Sequence, residues 1–144
     1  LAAAVGTSRD DRLLMITGPL ALARKGRLGL RIENGALAGD DPATAARVAT
    51  WVAQGIGIEG RPDWVFVKVH THGAIEGTAA SLLGAGGVAL HQALAAYNDG
   101  RAWHLHYVTA REMYNVARAA IDGKDGDPSQ WRDYAIAPPP LAGG

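Results

Sequence analysis

Two histidines separated by one residue, His70 and His72, follow directly on an apolar run, Trp64-Val65-Phe66-Val67-Lys68-Val69. Imidazole titrates near neutral pH, and its unprotonated nitrogen binds metals. A His-x-His pair can therefore move a proton or help to hold a cation. The preceding run is dense in β-branched and aromatic side chains and reads as a buried strand. Alternation puts Trp64, Phe66, Lys68 and His70 on one side and Val65, Val67 and Val69 on the other. His72 joins the first side if the chain stays extended through Thr71. The carboxyl end of a buried strand is where α/β proteins present polar groups. A lysine buried beside His70 would need a carboxylate partner, for which Glu33 and Glu76 are the candidates. The plainer alternative leaves one histidine bonded to a neighbouring loop and the other solvated.

Three further places could serve the same edge. Trp103 to Val108 reads as a second strand with His104 and His106 on one face, and His106 lies nearer its end. Arg111 and Glu112 open the helix that follows. Glu112 is most simply a capping residue, whereas Arg111 could bind a substrate carboxylate or phosphate, or only solvate the helix. Glu33 and Asn34 end another strand-like stretch and could reach the edge, or could simply form a turn with asparagine in a left-handed conformation.

The elements that must position these residues can be read from the rest of the chain. Leu13 to Thr17 is a short apolar strand closed by Gly18-Pro19. Leu20 to Gly29 is basic and ambiguous, and Leu30 and Ile32 alternate before an Asn34-Gly35 turn. Asp40-Asp41-Pro42 predicts a helix start, with Ala45, Val48, Ala49 and Val52 as its apolar face and Gly55 as its stop. A loop carries Glu76 and Gly77, and Gly84 to Gly87 forms a joint. A helix over 88–98 ends at Asn98-Asp99-Gly100. Thr109-Ala110-Arg111-Glu112 is a capping box, and the helix over 110–122 ends at Gly123. A short turn or helix over 127–134 precedes the three prolines at 138–140. Strands 64–70 and 103–108 should be parallel, joined by the helix at 88–98, with 13–17 in the same sheet. One α/β domain over 1–137 and a Pro/Gly-rich tail over 138–144 result.

Composition narrows the function. The 144 residues carry 14 basic and 14 acidic side chains, so a nucleic-acid-binding surface is not expected. Cysteine is absent, which removes zinc-thiolate sites and a cysteine nucleophile. No apolar run has the length of a membrane segment. The chain begins with leucine, from which we expect further residues upstream.

The segments Ile16-Thr17-Gly18-Pro19-Leu20, Arg31-Ile32-Glu33-Asn34-Gly35, Val67 to Gly73 and His106 to Asn115 resemble, in collinear order, the carboxyl-terminal part of bacterial polysaccharide-deacetylase-like proteins. These are relatives of the NodB-type carbohydrate esterases, and the resemblance runs from about Leu13 to Pro138. It implies a partial (β/α) barrel-like α/β fold with mainly parallel strands, the carboxyl-terminal part of a larger distorted barrel. It implies a divalent metal, zinc first, held by one aspartate and two histidines. A metal-bound water would attack an N-acetyl group, with an aspartate as base and a late histidine as acid. The family's last motif is an apolar strand ending in histidine, so Val67-Lys68-Val69-His70 gives His70 that acid role. Two features depart from the pattern. Asp10-Asp11 precedes a strand instead of ending one, and the histidine pair is spaced by two rather than four. Either those motifs lie upstream of Leu1 or this branch has rebuilt or lost its site.

The expected function is thus a metal-dependent hydrolase of N-acetylated polysaccharide, in an amino-terminally truncated fragment. His70 is the catalytic residue, His72 a metal ligand, and Arg111, Glu33 and His106 substrate contacts. The alternative is a non-catalytic domain on the same scaffold that binds a glycan or a protein partner. A metal-dependent hydrolase unrelated to deacetylases, resting on the His-x-His pair alone, comes last.

Overall fold

A computed structural model describes residues 2–7, 10–26, 28–73 and 76–140. The architecture is mixed α/β, with four α-helices and two small two-stranded sheets among the described residues, one of them parallel. No barrel is evident. The chain divides into two compact units, one from Leu1–Ile16, Gly57–Phe66 and His106–Gly144, the other from Thr17–Ile56 and Val67–Leu105.

The second unit begins with a hairpin. Strand β1 (Ala21–Lys25) pairs antiparallel with β2 (Gly29–Glu33), with Leu22 opposite Ile32 and Arg24 opposite Leu30. The stretch that sequence left ambiguous is therefore a strand, and the turn that follows β2 leads into β3 (Ala36–Leu37). Asn34 Oδ1 accepts the Ala36 N–H, and Gly35 takes φ +74°. A side chain at Gly35 would also crowd the Pro19 ring and the Lys68 carbonyl, so both space and conformation demand glycine there. Strand β3 pairs in parallel with β4 (His70–Thr71), placing Ala36 beside His70 and Leu37 beside Thr71.

Helix α1 (Ala45–Ala53) starts later than Asp40-Asp41-Pro42 suggested. Thr44 is its N-cap, accepting the Arg47 N–H, because the Asp41 carboxylate is already taken by Arg31. Its buried side chains are Arg47, Val48 and Trp51; of the expected stripe Val48 is buried, Val52 partly so, and Ala45 and Ala49 are exposed. Gly55 does stand just past its end. The core of this unit joins Leu37, Ala43, Val48 and Trp51 with partly buried Val67, Val69, Leu82, Leu90 and Leu94. Helix α2 (Glu76–Leu83) occupies what was read as loop, and α3 (Ala85–Tyr97) begins within the glycine joint. The two meet at a bend of 47°, and no single helix among the described residues is long and apolar enough to cross a membrane.

In the first unit the amino-terminal segment bridges in parallel to Glu59, and Gly6 donates to the carbonyl at the end of α4 (Ala110–Ile121). That helix has the expected capping box at Thr109 and Glu112 and buries Val116, Ala117 and Ala120. Asn115, fully buried, ties down the closing segment. Its amide nitrogen donates to the Arg132 and Ile136 carbonyls, and its oxygen accepts the Ile136 N–H at 2.8 Å. A 3-10 turn (Pro128–Trp131) precedes that segment.

Of the three strands expected in one sheet, only His70–Thr71 carries ladder bonds. Residues 13–17, 64–69 and 103–108 have no strand pairing. For 103–105 the cause is local. Asp99 Oδ1 accepts the N–H groups of Arg101, Ala102 and Trp103, and Asn98 Oδ1 that of Leu105, so side chains hold donors that a ladder would use. The bonds hold the Asp99 carboxyl below the usual carboxylate range, the Trp103 N–H first among them.

Candidate functional site

The expected strand is laddered only from His70, and the even-numbered side that is buried at its start is exposed at its end. Trp64 and Phe66 are buried, Val67 and Val69 partly so, and Lys68 and His70 are exposed. Lys68 thus needs no carboxylate partner. His70 stands on the short parallel pair, its N–H donating to the Gly35 carbonyl at 3.0 Å, and its ring faces solvent. His72 follows two residues on, also exposed. The two rings meet edge to face with centroids 6.1 Å apart. Between them Thr71 donates its hydroxyl to the Leu37 carbonyl at 3.0 Å, which pins the edge of β3 to the strand that carries His70.

The other predicted residues have different surroundings. Glu33, expected as a substrate contact, is 0 % exposed and bonded through both oxygens. Its Oε2 accepts Arg47 Nε at 2.8 Å; its Oε1 accepts Arg47 Nη2, the Trp51 indole N–H and the Gly35 N–H, each at 2.9 or 3.0 Å. Burial alone would raise its pKa, but the bonds from Arg47, Trp51 and Gly35, with the charge of Arg47, outweigh it and hold the carboxyl at about 2. Arg31 reaches the same carboxylate from 3.4 Å while gripping Asp41 with two nitrogens. That bond from Arg31 keeps Asp41 below the usual carboxylate range despite partial burial. The cluster is an internal clasp among β2, the turn after it and α1, and Glu33 is spent inside it.

Arg111 belongs to the first unit, where its guanidinium pairs with Asp133 at 2.8 Å and donates to the Ile136 carbonyl at 2.6 Å. It holds the closing segment beside Asn115. His106, half-buried in the same unit, lies 3.9 Å from Asp127. Glu112 is the capping residue its position suggested.

Among the described residues no group of three or more histidine, aspartate or glutamate side chains gathers where it could hold a metal ion. His70 and His72 offer two nitrogens, and the carboxylate that the deacetylase pattern requires is not beside them. An open apolar groove of about 610 Å3 runs along the α2–α3 joint past Leu82, Leu83, Val88 and His91, and none of the predicted site residues lines it.

Sequence reasoning did not find the Arg31–Glu33–Asp41–Arg47 cluster. The available signal was Glu33 standing two residues before a turn glycine, followed by a lone arginine inside the apolar face of a helix. No family model, curated protein or solved structure matches the chain.

Proposed function

We propose that this chain is a polysaccharide-deacetylase-like domain in which His70 donates a proton during hydrolysis of an N-acetyl sugar. One observation carries the reading: a solvent-facing histidine stands at the end of a parallel strand pair, with a second imidazole beside it. Amide hydrolysis fails unless the departing amine is protonated as the carbon–nitrogen bond breaks. An imidazolium within hydrogen-bond reach can supply that proton near neutral pH. His72 is the chain's candidate ligand for a divalent metal, and zinc suits an imidazole nitrogen. The described residues do not by themselves complete a metal site. The fold supports the coarser part of the reading, an α/β scaffold with a parallel pair; the partial barrel is part of the proposal.

A second reading is favoured by a different observation. Glu33 and Arg111, two of the residues expected to touch substrate, are committed to internal bonds. That arrangement suits a non-catalytic relative that binds a glycan through its remaining exposed groups. Acetate release from N-acetylated oligosaccharide, measured with added zinc, separates the two. His70→Ala should lower release by about 100-fold or more, the usual weight of a general acid, with unchanged thermal unfolding because the ring is exposed. His104→Ala should leave release near the parent's. Full activity in the His70 variant defeats the catalytic reading. Saturable oligosaccharide binding with no acetate release from the parent chain supports the second.

A further inference from the structure

We propose that the outer face of the β1–β2 hairpin docks on an anionic lipid surface. The pairing register decides which side chains share that face. Leu22 and Ile32 are opposite each other, as are Arg24 and Leu30, and all four point the same way. Leu20 precedes them on that side and Leu28 lies in the turn. The exposures of Leu20, Leu22, Leu28, Leu30 and Ile32 are 71, 72, 95, 69 and 68 %.

The orientation is fixed from within. Arg31 and Glu33 alternate with Leu30 and Ile32, and both enter the buried cluster with Asp41 and Arg47. A one-residue slip would put the leucines inward only by pulling that ion network apart. The hairpin is therefore held with Arg31 and Glu33 in, and with its aliphatic side and Arg24 out. Five aliphatic side chains at these exposures on one hairpin are more than the singly scattered apolar residues of an ordinary surface.

Charge selects the occupant. From Leu20 to Ile32 the sequence contains Arg24, Lys25, Arg27 and Arg31 and no acidic residue, in a chain whose net charge is zero. Arg31 is matched by Asp41, and Arg24 stands on the outer face with Leu22, Leu30 and Ile32. A second copy seated face to face would offer this acid-free basic stretch only its own like charge. A surface of acidic headgroups over acyl chains matches both properties, meeting Arg24 in its headgroup layer and the leucines just beneath. The hairpin needs no membrane-spanning segment for this. Strands of five residues extend about 17 Å, enough to lower the turn into the interface while the cluster stays in water.

The test is sedimentation of the full chain with vesicles of phosphatidylcholine alone or mixed with phosphatidylglycerol. Binding should require phosphatidylglycerol and weaken at least tenfold between 0.1 M and 0.5 M sodium chloride, as ~10 Å screening at the lower salt shrinks toward ~4 Å. The double variant Leu28→Asp, Leu30→Asp should bind at least tenfold more weakly with an unchanged circular dichroism spectrum. Arg24→Glu, which spares every leucine, should weaken binding to the anionic vesicles. Equal binding by the aspartate variant overturns the proposal, as does a parent chain that ignores phosphatidylglycerol. A dimer of the parent by light scattering that the aspartate variant abolishes would also overturn it and assign the face to a second copy.

Discussion

The indole N–H of Trp51 donates to the same oxygen of Glu33 that receives Arg47 Nη2 and the Gly35 N–H, so one buried atom joins helix, strand and turn. Its companion oxygen takes Arg47 Nε. Replacing Glu33 by glutamine preserves the shape and removes the charge that Arg47 was desolvated to meet. The folded-state pKa of about 2 lies below the ordinary 4.5, a gap equivalent to about 3 kcal/mol at ~1.4 kcal/mol per unit. Because the folded value is depressed, this stabilisation is complete above about pH 4.5 and drains away as pH falls toward 2. Urea unfolding at pH 7 should show Glu33→Gln destabilised by about 3 kcal/mol, a difference from the parent that narrows in titrations toward pH 2. A constant difference across that range would show that the charge contributes nothing.

Thr109 begins α4 with both halves of a capping box, its hydroxyl accepting the Glu112 N–H at 3.3 Å and its own N–H donating to the Glu112 carboxylate at 2.7 Å. The Thr109 N–H, and then its hydroxyl, hold Glu112 below the usual carboxylate range. Thr109→Ala should cost about 1 kcal/mol in denaturant unfolding. Thr109→Ser, which retains the acceptor, should recover most of it.

At the α2–α3 joint a Cβ on Gly87 would overlap the Leu82 carbonyl oxygen, and one on Gly84 would sit 2.6 Å from that of Ala80. Gly87→Ala must open the bend or shift α3. We expect a loss of at least about 1 kcal/mol of stability, the scale of overpacking, even though alanine is the better helix former. Gly77→Ala, whose Cβ would meet nothing within 4 Å, should stabilise or be neutral. Thermal melts of the two variants give opposite signs if backbone contact is the cause.

Features set by neighbouring residues were legible in the sequence. The Thr109 box and the carboxyl ends of α1 and α3 depend on a few adjacent side chains, whose capping chemistry is the same in any context. The Arg31–Glu33–Asp41–Arg47 cluster was not. An arginine on a helix ordinarily marks the wet face, and only the return of the chain from β2 shows that Arg47 points inward. The same inversion hid the hairpin: only Leu30 and Ile32 read as strand-like and Leu20 to Gly29 stayed ambiguous, while Arg31 and Glu33 occupy the inner side. Helix α2 was concealed by Glu76-Gly77, where alanines and leucines further along outweigh a single glycine. The segment at 103–105 has strand composition, but Asp99 and Asn98 capture its donors first.

The two small sheets differ in the stretch of chain that each must close. Strand β1 meets β2 across a tight local turn, an event of microseconds. The Thr71 hydroxyl reaches the Leu37 carbonyl from 34 residues away, with all of α1 between. Loop-closure entropy must be overcome before that contact returns anything, so the parallel pair is a late arrival in folding. His70 acquires its setting only when β3 and β4 have met across that intervening helix. A nascent chain would display the leucine face of the hairpin well before it displayed the histidine pair.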